Sequence, residues 1–271
     1  MQNTLFLYLD FLGFSNITKE KNKVNRLFEI LDTAYIHNDT NFKTIVFSDT
    51  LLAYNIYDKL ENDKKQIELM YLIELTQNIM NKFIGENIFF RGIITEGEFH
   101  VKKMRNLDAY FGQTLIDSYQ NEKYLKGVGL YLDVKLRFYN RIFRFKNLSE
   151  KFDFIYLTDS CSNLYPYEKR EVEKSDNYEE GIFPIPEILI SSTSAEYSLY
   201  PEILHFKEVY KQIWTQKSLK IKKKYLYTWN LYKLAYPDLI KALLDSNFNP
   251  KALANVDWSE AKKMYRENKK L

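Results

Sequence analysis

The chain has 271 residues, 45% of them hydrophobic, and a formal net charge of only +3. That length holds one large domain or a domain with an appendage, and so small a net charge gives no reason to expect nucleic-acid binding. One cysteine, Cys161, excludes an internal disulfide framework and fits a reducing cytoplasm, and three scattered histidines (His37, His100, His205) give no zinc spacing.

Residues 4–9 form a continuous apolar run and read as a buried strand that ends at Asp10. Ser15 to Thr18 are placed to cap a helix, in which Val24, Leu27, Phe28, Leu31 and Tyr35 recur at helical spacing to about Ile36. A polar turn, residues 37–41, follows. Residues 42–47 and 50–56 read as two strands of a hairpin with Asp49 at its tip. Residues 62–84 carry Ile67, Met70, Ile73, Ile79, Met80 and Phe83 and predict a long amphipathic helix. Ile88 to Thr95 is another strand, with Glu98 to Val101 as an extension of the sheet. A helix is expected from Gln113 to Leu125, a strand over residues 127–133, and a helix after it.

Strands alternating with helices make this an α/β (α+β sandwich) layered domain with a mixed sheet, over residues 1–145. Residues 146–271 are read as a partly helical extension. In it, Phe154 to Leu157 and Ile188 to Ser191 are strand-like, Glu168 to Glu180 is a charged loop, and the pattern is helical from Pro201 onward. No signal peptide is expected, because Asp10 interrupts the first apolar run. No apolar segment reaches the roughly 18–20 residues of a membrane span. A cytoplasmic protein with neither membrane nor nucleic-acid partners is the expectation.

Two apolar strands that each end in one aspartate call for a cation, because a carboxylate at the end of a buried strand is costly alone. Mg²⁺ and Mn²⁺ prefer carboxylate oxygen and are held by one or two carboxylates plus substrate phosphates. That points to phosphoryl chemistry on a nucleotide.

The motifs around these aspartates resemble those of class III nucleotidyl cyclase catalytic domains. The matching stretches are Asp10-Phe11-Leu12-Gly13-Phe14-Ser15, Phe47-Ser48-Asp49-Thr50, Arg91-Gly92-Ile93-Ile94-Thr95-Glu96-Gly97 and Phe111-Gly112-Gln113-Thr114. They cover roughly residues 3–135, in the family's order. In detail the chain resembles the bacterial pyrimidine cyclases of Pycsar antiphage systems. The shared traits are Phe-Ser-Asp in place of Gly-Asp, the Arg-Gly-Ile-Ile-Thr-x-Gly strand, and a helix reading Phe-Gly-x-x-Leu-Ile-Asp-Ser-Tyr-x-x-Glu.

The resemblance implies a homodimer that makes cyclic UMP or cyclic CMP, with UTP favoured over CTP. It implies two Mn²⁺ or Mg²⁺ ions on Asp10, Asp49 and the Phe11 carbonyl, and a product that activates a separate effector. The turn from Phe11 to Ser15 would offer backbone N–H groups to the phosphates, and Gly13 permits close approach. Ile45 stands where purine cyclases carry a base-reading Lys or Glu, and Ile116 and Gln120 stand where they carry an Asn and an Arg.

A basic group must also meet the developing charge, and Arg91, Lys102, Lys103 and Lys123 are all open for that role. Plainer readings stand beside these: turn or cap aspartates, a turn glycine, a structural ion pair for Arg91, and core packing or solvent for Ile45 and Lys43. Tyr119 and Gln120 face either the site or a dimer interface, and the run from Lys217 to Lys224 reads as a solvated helix face, with contact to nucleic acid or an acidic partner as the other reading. Rival functions are a catalytically silent cyclase-like sensor, a purine cyclase, or another metal-dependent nucleotidyl transferase.

Overall fold

A computed structural model describes residues 3–34, 42–55, 62–141, 143–158, 195–250 and 263. Two compact units divide the chain, the first comprising Met1–Met80, Ile88–Leu125 and Gly129–Leu157.

The first unit is built on a seven-stranded mixed sheet in the order β2-β3-β1-β4-β7-β9-β8. Its strands are β1 (Asn3–Leu12), β2 (Phe42–Phe47), β3 (Thr50–Asn55), β4 (Phe89–Glu98), β7 (Gly129–Asp133), β8 (Phe145–Asn147) and β9 (Phe152–Ile155). β4 and β7 are parallel, and the other neighbours are antiparallel. A separate two-stranded sheet pairs β5 (His100–Lys103) with β6 (Asp108–Phe111). The stretch expected to extend the main sheet therefore turns into its own hairpin.

β1 lies between β3 and the middle strand β4, and its alternation sorts the sheet into two faces. Leu5, Leu7 and Leu9 point to one face, where Gly92 of β4 lets Leu9 approach closely: a Cβ there would lie 2.3 Å from the Leu9 side chain. The long helix α3 (Asn62–Phe83) serves this face through Lys65, whose ammonium lies 2.8 Å from Glu96 of β4. Phe6, Tyr8 and Asp10 point the other way. There Phe6, Tyr8, Leu52, Tyr54 and Phe99 form a core cluster, with Ile45 and Leu115 packed against it. Leu115 belongs to α4 (Gln113–Glu122), which covers this second face.

Several boundaries differ from expectation. β1 continues through Asp10 to Leu12. Ser15 to Thr18 does not cap the next helix, because Phe14–Ile17 is itself a helical turn, α1, and α2 (Lys21–Thr33) takes Glu20 as its N-cap. The buried stripe of α2 is Leu27, Ile30 and Leu31, whereas Phe28 is exposed. On α3, Leu69, Leu72, Ile73, Ile79 and Phe83 are buried, and Ile67 is exposed.

After β7 the expected helix is a 3-10 segment, Val134–Tyr139. The boundary expected near residue 145 falls at the start of β8, and β8 and β9 complete the same sheet. Arg137 ties that edge by donating to both carboxylate oxygens of the fully buried Asp153, at 2.5 and 2.7 Å. The expected polar turn at 37–41, the charged loop at 168–180, the strand at 188–191 and Cys161 lie outside the described residues.

The second unit comprises Asn81–Asn87, Lys126–Val128 and Thr158–Leu271. Its described helices are α5 (Ala195–Thr215), α6 (Leu219–Ala235) and α7 (Pro237–Asp245). Phe206 and Tyr232 meet edge-on at 4.9 Å between α5 and α6, and Tyr210 packs against Trp229 and Phe248. Thr228 both donates to and accepts from the backbone of buried Val128, each at 2.8 Å.

Candidate functional site

Register brings the chemistry-bearing residues to one end of the sheet. In β1, Asp10 stands between Thr50 of β3 and Arg91 of β4. Asp49 immediately precedes Thr50 in the tight turn of the β2–β3 hairpin. Ser48, the other turn residue, takes a left-handed conformation (φ 56°), of the kind a two-residue hairpin turn uses. The Phe11 N–H donates to the Asp49 carbonyl at 2.7 Å. Thus the two aspartates predicted from separate motifs lie at the same end of the sheet, Asp10 on β1 and Asp49 in the adjoining hairpin turn, both half-buried.

Tyr8 reports their shared field. Its phenol, hydrogen-bonded with the Thr50 side chain, is held above its ordinary pKa first by burial, then by the negative charges of Asp10 and Asp49.

Arg91 is buried behind Asp10. Its guanidinium pairs with Glu122 of α4, lies 3.7 Å from Asp10 Oδ2, and donates to the Leu125 carbonyl at 3.3 Å. Burial pushes its pKa down, and Asp10 is the largest opposing influence. Glu122 was visible in the helix motif but carried no assigned role. The pairing of Arg91 with it gives Arg91 a structural function at the floor of the site.

The turn after β1 is open. Gly13 has φ 78°, and a Cβ there would meet nothing within 4 Å. Gly13 and Ser15 are exposed, while Leu12 and Phe14 are half-buried. The Asn16 N–H donates to the Gly13 carbonyl at 2.8 Å as α1 begins. Phe11 is buried.

The remaining expected residues scatter. Ile45 packs on the Phe6–Tyr8–Leu52–Tyr54–Phe99 cluster, and Lys43 is exposed. Lys102 and Lys103 are exposed on β5, whereas Lys123 sets its ammonium 4.0 Å from the Tyr119 ring centroid. Ile116, Tyr119 and Gln120 are exposed on α4. Tyr8 and Thr50 were not singled out from sequence, because both read as ordinary residues of apolar strands.

The residues present fit a hard divalent cation. Two carboxylates lie at the same end of the sheet beside an open backbone turn. Among the described residues no group of three or more His, Cys, Asp or Glu converges to form a closed metal cage. An open pair of carboxylates completed by substrate oxygens is the arrangement Mg²⁺ tolerates.

No protein-family profile and no curated protein matches this chain. Solved structures do. The adenylyl cyclase CyaB from P. aeruginosa is 8% identical, with 57% of this chain and 94% of that one covered, at a TM-score of 0.43. The guanylyl cyclase domain of the RhoGC fusion protein from Blastocladiella emersonii is 11% identical, with 57% and 93% covered, at 0.44. The guanylate cyclase domain of RhGC from Catenaria anguillulae is 12% identical, with 57% and 96% covered, at 0.43.

Proposed function

We propose that the first unit is a metal-dependent nucleotidyl cyclase that converts a pyrimidine nucleotide, UTP in preference to the alternative assignment CTP, to the 3′,5′-cyclic nucleotide and pyrophosphate. The observation that carries this reading is the pair Asp10 and Asp49, held together at one end of the sheet by the Phe11–Asp49 hydrogen bond. The class III motifs in the sequence support it, and the Pycsar-like details support the pyrimidine base. In that setting the cyclic nucleotide is a second messenger of antiphage defence that activates a separate effector, and the working form is a homodimer.

In this reading Asp10, Asp49 and the Phe11 carbonyl hold Mg²⁺ or Mn²⁺. Bound there, such ions lower the pKa of the ribose 3′ hydroxyl and offset charge on the α-phosphate. The 3′ oxygen forms a bond to the α-phosphorus, its proton passes to solvent water, and the bond from the α-phosphorus to the bridging β-phosphate oxygen breaks to release pyrophosphate. Backbone N–H groups from Phe11 to Ser15 receive the terminal phosphates, and the open turn at Gly13 leaves room for them. Arg91 fixes Asp10 from behind and adds positive charge to the floor. Exposed Lys123, next to the Arg91-bound Glu122 at the end of α4, is the candidate cation at this end of the sheet, whereas Lys102 and Lys103 follow the opposite end of β4. Ile45, at the position where purine cyclases carry a base-reading charge, brings none and packs against the Phe6–Tyr8–Leu52–Tyr54–Phe99 cluster.

The test is incubation of the purified protein with each of the four ribonucleoside triphosphates and Mn²⁺, with products identified by chromatography and mass. Cyclic UMP or cyclic CMP, absent with Asp49→Ala protein, is expected. Cyclic AMP or GMP would keep the reaction and discard the base. Absence of any product would favour the sensor reading, which has one observation on its side: Arg91 is engaged by Glu122.

A further inference from the structure

The helical unit carries a surface of one sign that the proposed chemistry does not use. Between Glu208 and Asp238 the chain has seven lysines, no arginine and no acidic residue. α5 ends at Thr215 and α6 begins at Leu219, so much of this charge gathers at one helical corner. Lys211, Lys217, Lys220 and Lys223 are exposed there, and among the described residues none of the four makes an ion pair. The same corner exposes three large apolar side chains: Trp214 at 66%, Leu219 at 67% and Ile221 at 38%. The Lys222 ammonium lies 5.2 Å from the Trp214 ring centroid, joining the end of α5 to the start of α6.

An ordinary solvated helix face interleaves both signs, because like charges one turn apart repel. Here the lysines also crowd the first turns of α6, where the helix macrodipole disfavours cations. The arrangement is unfavourable in water alone and favourable against an extended anionic surface. The apolar residues decide which one. Single-stranded nucleic acid is gripped by aromatic platforms and arginine, whereas Leu219 and Ile221 offer no ring for a base to stack on. A bilayer interface takes up both kinds of side chain, tryptophan and aliphatics at the acyl boundary and lysines among the headgroups.

We propose that the α5–α6 corner docks this chain on an anionic lipid bilayer, with Trp214, Leu219 and Ile221 entering the interface and Lys217, Lys220 and Lys223 meeting lipid phosphates. The contact is peripheral, since no helix among the described residues is long and apolar enough to cross a membrane.

The full chain is sedimented with vesicles of phosphatidylcholine alone and of phosphatidylcholine mixed with phosphatidylserine, at low and high salt. Cosedimentation with the phosphatidylserine vesicles only, weakening as salt rises, is expected. At about fivefold per lysine, the triple change Lys217→Glu, Lys220→Glu and Lys223→Glu lowers vesicle affinity at least about a hundredfold. These positions are exposed and lie at the positive end of α6, so the triple change is expected to hold or raise the melting temperature and not to lower it. Trp214→Ser keeps the charge, and is expected to weaken binding and to remove the blue shift of tryptophan fluorescence that the vesicles induce. Equal binding to phosphatidylcholine, absence of cosedimentation, or binding indifferent to the triple change each overturns the proposal. Tighter binding of a labelled single-stranded RNA than of the phosphatidylserine vesicles also overturns it, and assigns the corner to nucleic acid.

Discussion

The Phe11 N–H donates to the Asp49 carbonyl across 2.7 Å, one residue beyond the point where Asp10 faces Thr50. This bond joins the end of β1 to the tip of the neighbouring β2–β3 hairpin. It converts two aspartates far apart in sequence into one acidic edge. The main chain, not the side chains, makes the juxtaposition, so either carboxylate can be changed without removing the bond that positions it.

Asp10→Asn and Asp49→Asn keep side-chain volume and remove one charge each. Metal-assisted charge stabilisation supplies several kcal/mol to a transition state, so each variant is expected to lose at least about a thousandfold in cyclase turnover. Product formation with Mn²⁺, followed by mass, checks this alongside a melting curve. Full activity in both variants would remove the metal role from these residues.

Glu122 is the buried partner of a buried guanidinium. Breaking such a pair from one side strands a charge and costs about 3–5 kcal/mol. Glu122→Ala is therefore expected to lower the urea midpoint sharply. Arg91→Met combined with Glu122→Leu is expected to recover most of the loss, because apolar packing replaces a buried pair at little net cost. If Glu122→Ala melts like the parent, the pair contributes nothing to the fold.

The elements legible in sequence were those with a strong local signature. Apolar β1, the β2–β3 hairpin around Ser48-Asp49, and α3 carry unambiguous patterns, and both aspartates fell at their ends. β6 was not legible. Its four residues are mostly exposed, so no alternation marks them. Helical spacing located the stripes of α2 and α3 but not their exact phase, which is why Phe28 and Ile67 turn outward. The partnership of Arg91 with Glu122 depends on α4 crossing the second sheet face, a tertiary fact with no local signal. Ile45 joined the core because β2 pairs with β3 in a register that sets it opposite Leu52.

Two glycines with positive φ should answer differently to alanine. At Gly112 (φ 152°) a Cβ would sit 2.3 Å from the Glu98 carbonyl oxygen and 2.8 Å from the Phe99 Cα, both backbone atoms. Gly112→Ala is expected to cost at least about 3 kcal/mol, because strain and collision add. At Gly13 (φ 78°) the space is open, and alanine bears only the left-handed penalty, about 1 kcal/mol. Denaturant titrations of the two variants should separate clearly, and equal losses would refute the steric account of Gly112.

Thr228 closes both backbone groups of Val128 with one hydroxyl. Thr228→Val fills the same space and leaves a buried N–H and C=O unmatched. An unsatisfied buried group costs about 1–3 kcal/mol, so the loss is expected to exceed that of Thr228→Ser, which keeps the hydroxyl. Comparing the two variants by thermal melting isolates the hydrogen bonds from the methyl group.

His205 gives the helical unit an acid limit. The ring is buried, lies 3.0 Å from the Tyr232 hydroxyl, and has its pKa driven down to about 4 by burial. An unfolded histidine titrates near 6.5. Between these values the unfolded chain binds the proton and the folded chain does not, so stability rises with pH across that window. The contribution is complete above about pH 6.5 and is lost as pH falls toward 4, amounting to about 3 kcal/mol at the acid end. His205→Asn is expected to cost stability at neutral pH, through lost packing, while flattening the pH dependence between 6.5 and 4. Tryptophan-detected urea titrations at several pH values measure the difference in slope between parent and variant. Identical slopes would mean that the ring takes up its proton without unfolding.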